Sequence, residues 1–395
     1  MPKVLRIINR FNLGGPTYNA AYLTKYLAPD FETLLVGGIH QESEADSSFI
    51  LENLGIKAQV LDSMKRDVSI RSDWDSYREI KRIIKEFKPD IVHTHASKAG
   101  ALGRYAAFSS GVPVTVHTFH GHVFHSYFNK FKTNFYLNLE RYLAKRTSKI
   151  IAISELQKQE LVNTFKIAPK EKFSVINLGF ELDRFSKNRE DLRKQFRDAY
   201  GLKENEIAIS IIGRLVPIKN HKLFLEMANE LTTNYNNLRF FIVGDGESKE
   251  ELINYCQSNN LSFSTNKSDK AAICFTSWIK NAEYALAGTD IVALTSLNEG
   301  TPVSLIEAQA AAKPIVTSNV GGVMDVVLHN KTAFVHNISD KEGMINSFER
   351  LVKSVELRHD MGKKGEEFVE NRFSATRLAS DVRELYYTLL EANKR

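Results

Sequence analysis

The stretch VLRIINRFNLGGPTYNAAYLTKYL, residues 4–27, decides the class of fold that the sequence predicts. Residues 4–8 form a mostly apolar run with the composition of a buried strand, and residues 17–27 are expected to be a helix. Between them, Asn12-Leu13-Gly14-Gly15-Pro16 provides a glycine-containing turn from strand to helix. This order is the beginning of a βαβ unit, in which successive strands lie parallel.

The same alternation continues along the chain and then restarts. In the first half we expect further strands at residues 31–36, 91–95, 114–117, 150–154 and 173–176, with helices at 73–87 and 99–109. In the second half we expect strands at 207–212, 238–243, 273–276, 291–294 and 315–317, with helices at 222–231, 249–259, 304–311, 322–328 and within 341–393. Residues 177–203 are polar and are interpreted as a linker. We therefore predict an α/β protein with two Rossmann-like, doubly wound domains facing each other across a cleft.

Composition and charge narrow the classes of function. A chain of 395 residues is too long for one ordinary core, and 43% hydrophobic with 25% charged residues is typical of a globular protein. The net charge of +6 favours anionic partners but is too small to argue for nucleic acid. Cys256 and Cys274 form no Cys-x-x-Cys pair, and neither a signal peptide nor a run of 18 apolar residues occurs. We expect a cytoplasmic protein with no bound metal.

Gly14 and Gly15 lie at the first strand-to-helix turn. Because glycine has no side chain, backbone amides there can approach a phosphate or a sugar closely. A turn that needs glycine only for its own geometry is an equally good interpretation of these two residues taken alone. The Gly-x-Gly-x-x-Gly fingerprint of dinucleotide-binding proteins is absent, which argues against a simple nicotinamide-dependent enzyme.

A pair of cations follows a strand of the second half, in the sequence GRLVPIKN of residues 213–220. The turn at Gly213 exposes Arg214, and Lys219 follows at the start of a helix. Two cations that converge at a strand end can neutralise a diphosphate. Solvated loop side chains are the alternative interpretation.

The strongest motif is EGTPVSLIEA, residues 299–308. Pro302 is suited to the first position of a helix, and free backbone amides at the start of that helix would provide an anion site. The residues assigned to this site are Gly300, Thr301, Pro302, Val303 and Ser304. Glu307 could accept hydrogen bonds from a ribose diol, and Glu299 could hold sugar hydroxyls. Acids favoured by the helix dipole are the alternative, which fits Glu299 better than Glu307.

Histidines close two predicted strands of the first half, in His93-Thr94-His95 and in the sequence HTFHGH of residues 117–122. A structural role is the default interpretation for each of them, and no accompanying pattern supports a zinc site. His120 is the exception, because Gly121 follows it at the presumed cleft. His95, Lys98 and His122 are assigned to the acceptor side.

A basic stretch spans residues 124–150, where six lysines and arginines accompany Glu140 alone as an acid. Apolar residues at helical spacing accompany them, so the stretch could lie on an anionic membrane surface. An ordinary core-facing helix with a solvated basic face is the somewhat stronger interpretation.

Taken together, these motifs resemble those of the retaining glycosyltransferase family 4, which has the GT-B fold. The resemblance covers nearly the whole chain. It includes the Gly14-Gly15 turn, Arg214, Lys219, Glu299, Glu307, Val320-Gly321-Gly322 and residues 175–185, which are similar to the inter-domain stretch of the family.

The resemblance implies a role for each matching position. Arg214 and Lys219 would contact the donor diphosphate, and Glu307 the ribose. Glu299 and the backbone of residues 300–302 would hold the donor sugar, with His120 near the reacting sugar. Trp278 and Ile279 would border the base. Residues 1–180 would form the acceptor-side domain and residues 181–373 the nucleotide-sugar donor domain, while residues 374–395 would return as a helix to the first.

The implied activity is a metal-independent, cofactor-free hexosyl transfer from a nucleotide diphosphate sugar, with UDP preferred over GDP. The expected acceptor is a glycan or a lipid-linked saccharide of polysaccharide biosynthesis, at the inner face of a membrane, and nucleic acid is not expected as a partner. Two alternatives remain open. A sugar-nucleotide epimerase of the same fold would convert the donor without an acceptor, and a non-catalytic membrane-associated protein would only bind it.

Overall fold

The computed structural model describes residues 1–12, 14–39, 47–65, 67–121, 130–267 and 269–394. The chain divides into two compact units, Met1–Phe180 together with Phe373–Arg395, and Glu181–Arg372. Each unit has its own parallel sheet and its own hydrophobic core. The predicted pair of Rossmann-like α/β domains is confirmed at the level of these two sheets.

In the first unit, the described residues form a seven-stranded parallel sheet in the order β3-β2-β1-β4-β5-β6-β7. Its strands are β1 Lys3–Arg10, β2 Glu32–Gly38, β3 Ala58–Val60, β4 Ile91–His95, β5 Val114–Phe119, β6 Lys149–Ala152 and β7 Phe173–Val175. Its helices are α1 Gly15–Tyr26, α2 Ser48–Asn53, α3 Ile70–Phe87, α4 Ser97–Ser109, α5 Lys130–Arg146, α6 Glu155–Gln159 and, much later in the chain, α16 Ala375–Asn393.

Consecutive strand residues of this sheet enter different cores, because side chains alternate between the two faces of a strand. Val4 packs in the cluster that α16 completes with Leu378, Val382 and Tyr386, whereas its neighbour Leu5 packs against α3 and α4. Both faces of the sheet are therefore covered by helices, which is the doubly wound arrangement.

The second unit repeats this plan, with seven described strands in the order β10-β11-β9-β8-β12-β13-β14. Its strands are β8 Ile207–Ile212, β9 Leu238–Val243, β10 Phe263–Ser264, β11 Ile273–Ser277, β12 Ile291–Leu294, β13 Ile315–Ser318 and β14 Ala333–His336. Its helices are α7 Asp183–Ser186, α8 Arg189–Ala199, α9 His221–Asn234, α10 Lys249–Ser258, α11 Ala282–Gly288, α12 Val303–Ala310, α13 Val323–Val326, α14 Lys341–Lys353 and α15 Val355–Phe373.

Some sequence expectations are wrong. Residues 177–203 are not a linker, because they contain α7 and α8 and place the fully buried Phe196 in the core of the second unit. The predicted helix 322–328 is only α13, and α3 begins three residues before the predicted 73. The short strands β3, β10 and β14 were not predicted. Among the described residues, no helix is long and apolar enough to cross a membrane.

Candidate functional site

Most of the site residues predicted in the second half follow strands of the second sheet. Because the strands are parallel, their carboxyl ends lie along one edge of the sheet, where open α/β sheets bind ligands. That edge carries Gly213 and Arg214 after β8, Trp278 and Ile279 after β11, Glu299 to Ser304 after β12, and Val320 to Gly322 after β13. The structure thus brings these predicted residues to one side of one unit.

Lys219 and Glu299 form an ion pair at this edge, with Nζ and Oε1 2.6 Å apart. The Ser296 hydroxyl donates to the same carboxylate oxygen at 2.6 Å. The Thr295 hydroxyl donates to the carbonyls of Lys219 and Asn220, at 3.2 and 2.9 Å. The turn after β8 and the loop after β12 are therefore tied together, and the lysine has a defined position.

Helix α12 begins at Val303, with Pro302 as the residue before its first turn rather than inside it as predicted. Among the described residues, the amides of Val303 and Ser304 have no carbonyl partner, whereas the Leu305 amide already bonds to Pro302 at 3.0 Å. A side chain at Gly300 would meet no atom within 4 Å. The helix start is therefore open to an anion, since unpaired amides and the helix dipole both favour negative charge.

Gly321 and Gly322 hold the loop that carries Glu299. An ideal Cβ on Gly321 would lie 1.8 Å from the Glu299 carbonyl oxygen, and one on Gly322 would lie 2.0 Å from that of Gly300. Gly321 also has a φ of 50°, and the Gly322 amide donates to the Glu299 carbonyl at 3.1 Å. Only glycine permits so close an approach, so this pair fixes the loop through packing.

Glu307 has a partner that the sequence analysis did not find. Arg184, on α7, lies 2.9 Å from its Oε1. Burial raises the pKa of Glu307, and the nearby Arg184 opposes that rise. Arg184 lies within the stretch 175–185 that resembles the family, but no feature of the local sequence marks it as the counter-ion of a residue 123 positions away.

Four further side chains lie at this edge. Arg214 is exposed, and the described part of the chain offers its side chain no hydrogen bond or ion pair. Trp278 is 62% exposed, whereas Ile279 packs against the buried cluster of the second unit. Lys249, which was not predicted, lies 2.9 Å from the carboxylate of Asp245 and 2.7 Å from the Ser277 hydroxyl. The edge therefore presents one more cation than the sequence motifs indicated.

In the first unit, Gly14 and Gly15 lie at the start of α1. A Cβ on Gly15 would meet no atom within 4 Å, and one on Gly14 would only touch Pro16 at 3.8 Å. Packing therefore does not require either glycine, which favours the interpretation that a ligand approaches the backbone here. Leu13 lies outside the described residues, and so does His122.

Histidines at the carboxyl ends of β4 and β5 form a connected cluster. His93 and His95 are fully buried with rings stacked 4.3 Å apart, and His95 Nδ1 lies 2.9 Å from His120 Nε2. Burial lowers the pKa of His93 and His95 well below the ordinary value and that of His120 to about 4. These rings are therefore neutral near pH 7, and His95 is too deeply buried to meet an acceptor directly.

Lys98 is occupied by contacts inside the first unit. Its ammonium pairs with Asp73 and donates to the carbonyls of Lys65 and Asp67, at 2.8 and 2.6 Å. Two of its three N–H donors are thus given to carbonyls of the first unit, and its charge is paired with Asp73. Its place on the acceptor side stays a prediction.

Across the residues with described positions, no group of three or more His, Cys, Asp or Glu side chains is arranged to hold a metal ion.

Two family models match the chain in succession. Residues 20–184 match the model described as Glycosyltransferase Family 4, and residues 193–368 match that described as Glycosyl transferases group 1. The first match lies in the first compact unit except at its C-terminal edge, and the second match lies wholly within the second unit.

Curated relatives cover most of the chain. A UDP-Gal:alpha-D-GlcNAc-diphosphoundecaprenol alpha-1,3-galactosyltransferase of Escherichia coli is 32% identical over 340 residues, 85% of this chain and 84% of that protein. The capsular polysaccharide biosynthesis glycosyltransferase CapM of Staphylococcus aureus is 25% identical over 336 residues, 84% of this chain and 85% of its own length.

Solved structures share the fold. Anabaena Alr3699/HepE, crystallised in complex with UDP, superposes with a TM-score of 0.78 at 18% identity, over 98% of this chain and 100% of that one. The two parallel sheets, the matched models and the relative at 32% identity lead to one conclusion. The chain belongs to the family 4 glycosyltransferases and has their two-domain, Rossmann-like GT-B fold.

Proposed function

We propose that this glycosyltransferase moves a hexosyl group, with retention of configuration and without a metal ion, from a UDP-sugar to a lipid-linked or polysaccharide acceptor. The observation that carries the proposal is the arrangement of Lys219, Glu299 and the open start of α12 at one edge of the second sheet. Lys219 and the open helix start match the negative charge that a nucleotide diphosphate presents when it leaves a sugar, and Glu299 holds the lysine in position.

The chemistry follows from where charge develops. As the bond from the anomeric carbon to the diphosphate oxygen breaks, a bond to the acceptor oxygen forms on the same face of the sugar. The diphosphate gains negative charge, and the departing phosphate oxygen takes the proton of the acceptor hydroxyl. Arg214, Lys219 and the amides of Val303 and Ser304 would stabilise that charge more in the transition state than in the ground state.

The remaining site residues would hold the donor. Glu307 would accept hydrogen bonds from the ribose hydroxyls, and Glu299 with residues 300–302 would hold the sugar. Trp278 and Ile279 would border the base. The Escherichia coli relative, whose name contains UDP-Gal and a diphosphoundecaprenol acceptor, supports a UDP donor and a lipid-linked acceptor for this chain.

A donor screen tests the proposal. The purified chain would be incubated with UDP- and GDP-sugars, with and without a lipid-diphosphate-linked saccharide, in the presence of a chelator. We expect UDP release that depends on acceptor, and a product whose anomeric configuration, read by NMR, equals that of the donor. Conversion of the donor sugar without acceptor would identify an epimerase instead, and activity that returns only with a divalent cation would contradict metal independence.

For the acceptor side we propose that α5 lies on an anionic membrane surface. Phe131, Phe135 and Tyr142 are 85%, 60% and 50% exposed and recur along one face of the helix. Beside Tyr142, a groove of about 610 Å³ is lined by the cations Arg141, Lys145, Lys166 and Lys172 and by no acid. The acid of this stretch, Glu140, is bound to the buried Arg104 at 2.7 Å and leaves the surface basic.

Vesicle co-sedimentation tests this surface. Lys145→Glu with Lys166→Glu should weaken binding to phosphatidylglycerol vesicles by at least about tenfold, since each basic side chain near such a surface is worth about 1 kcal/mol. Lys57→Glu with Lys85→Glu makes the same charge change at exposed positions elsewhere in the unit and serves as the control. Equal loss in both pairs, or equal binding to neutral vesicles, would contradict a specific docking face.

A further inference from the structure

Arg6, in the middle of β1, is a fully buried arginine that contacts no carboxylate among the described residues. Its Nη1 lies 3.1 Å from His93 Nδ1 and 3.4 Å from His95 Nε2. Its Nε and Nη2 are buried, and no residue with a described position gives either of them a hydrogen bond. Burial of an unpaired cation is costly, so this position calls for an explanation beyond packing.

The direction of each hydrogen bond follows from the chemistry of arginine. The guanidinium has only donors and stays protonated in proteins, so the ring nitrogens that face it must accept. His95 is neutral, because burial and the charge of Arg6 both lower its pKa. A neutral imidazole carries one hydrogen, and with Nε2 accepting from Arg6 that hydrogen is on Nδ1.

The same logic extends one ring further, to His120, which is only partly buried. His95 Nδ1 lies 2.9 Å from His120 Nε2, so the Nδ1–H of His95 donates and His120 Nε2 accepts. His120 is neutral near pH 7, and its single hydrogen is therefore on Nδ1. That nitrogen is buried and has no hydrogen-bond partner among the described residues.

We propose that Arg6 is a positioning residue that acts through His95 to fix His120 as its Nδ1–H tautomer, so that His120 donates a hydrogen bond to an oxygen of the bound sugar and does not accept a proton. The contact with sugar rests on the proposed function, whereas the tautomers do not. His120 Nε2 is engaged by His95 and Nδ1 already carries a hydrogen, so neither nitrogen is free to act as a general base.

The contacts of His93 also hold Arg6 in place. His93 Nδ1 lies 3.1 Å from Arg6 Nη1 and 2.6 Å from the hydroxyl of Tyr386 on α16, and its Nε2 lies 2.7 Å from the Thr118 hydroxyl. Because the guanidinium can only donate, Nδ1 accepts from it, and the Tyr386 hydroxyl must donate to Nδ1 as well. With Nδ1 accepting, the hydrogen of His93 is on Nε2 and is donated to Thr118. His93 and His95 therefore have opposite tautomers around one guanidinium, which is a specific signature of the arrangement.

Nitrogen-15 NMR on the ligand-free, histidine-labelled chain reads these tautomers directly, because protonated and unprotonated ring nitrogens have different chemical shifts. We expect hydrogen on Nδ1 in His95 and His120 and on Nε2 in His93. Hydrogen on Nε2 of His95 or His120 in the wild-type chain would overturn the proposal without any variant.

Variants then test the cause. Arg6→Met and His95→Phe should each turn His120 into a mixture of tautomers, whereas Arg6→Lys, which keeps a buried donor, should preserve the wild-type state. The matched control replaces the other fully buried arginine of the unit with its partner, as Arg104→Met with Glu140→Leu, and should leave His120 unchanged. A near-UV circular dichroism spectrum like that of the wild-type chain identifies folded samples, because that signal is lost when specific packing is lost. An Arg6→Met chain in which the tautomer of His120 is unchanged would overturn this relay, by which Arg6 acts through His95 on His120.

Titration with a UDP-sugar tests the contact with sugar separately from the tautomers. The Nδ1–H resonance of His120 should shift with the UDP-sugar and not with UDP alone. The predicted tautomers without such a shift would contradict the contact with sugar, while transfer activity in the donor screen with the wrong tautomers would contradict only the relay.

Discussion

The ammonium of Lys219 and the carboxylate of Glu299 lie 2.6 Å apart, although 80 residues separate them in the chain. The sequence motifs assigned the lysine to the diphosphate and the glutamate to the sugar. Their contact means that one residue positions the other, with Ser296 as a third member. A diphosphate that binds here meets a lysine already oriented, so little side-chain entropy remains to be lost.

Lys219→Ala should lower kcat by a factor on the order of 10²–10³, the cost of removing one preorganised group that stabilises developing charge. Glu299→Gln keeps a hydrogen-bond acceptor beside the lysine and should cost less. Steady-state transfer rates measure both, and an unchanged melting temperature shows that the fold persists. A Lys219→Ala enzyme within twofold of wild type would remove the lysine from the mechanism.

Arg184→Met should make nucleotide binding more sensitive to acid. Burial already raises the pKa of Glu307 and Arg184 opposes this, so loss of the arginine raises that pKa further. If the ribose needs the ionised carboxylate, UDP affinity falls as the pH drops, and the fall begins at higher pH in the variant. Calorimetry between pH 5.5 and 8 measures the shift, with Arg184→Lys as the charge-preserving control. Identical pH profiles for Arg184→Met and wild type would show that the two residues are not linked.

Gly322→Ala should destabilise the second unit and displace the loop that carries Glu299. The new Cβ would lie 2.0 Å from the Gly300 carbonyl oxygen, so the backbone must move. A cost of about 1–3 kcal/mol is expected, the range for forced overpacking. Gly300→Ala, where a Cβ meets no atom within 4 Å, is the matched control for stability. Urea unfolding measures the stability of both variants, and equal unfolding midpoints would contradict the packing argument.

Acid should destabilise the second unit partly through His221, whose two ring nitrogens are buried and have no hydrogen-bond partner in the described part of the chain. Burial lowers its pKa to about 4. Between the unfolded value of about 6.5 and that folded value, only the unfolded chain takes up the proton, so stability falls as the pH falls, by about 1.4 kcal/mol per pH unit, and is constant above. His221→Phe should remove that slope from the unfolding free energy measured at pH 4.5 to 8.

The sequence predicted most of the strands and the motifs that follow them because both are local signals. Apolar runs bounded by glycine mark β1, β8 and β12, and the carboxyl ends of parallel strands are a known place for ligands. It failed at α8, whose polar composition hides the buried face that carries Phe196. It also missed contacts between distant residues, such as Arg184 with Glu307, for which no spacing rule exists.

Arg6 is a clearer case of a residue whose contacts could not be predicted from the sequence. In the sequence it is a charged residue within an otherwise apolar run, and arginine is almost never buried alone. Only the fold brings it between His93 and His95 and reveals that it determines how those rings hydrogen-bond.

Helix α16 determines the order in which the two units can finish folding during synthesis. Its Tyr386 is fully buried beside Val4 and Ile91, yet it leaves the ribosome after every residue of the second unit. Residues 181–372 are contiguous and can finish folding during translation, whereas the first-made sheet must wait with an uncovered apolar face. A chaperone would bind the nascent chain at that uncovered apolar face, and a chain whose synthesis stalls would aggregate through it.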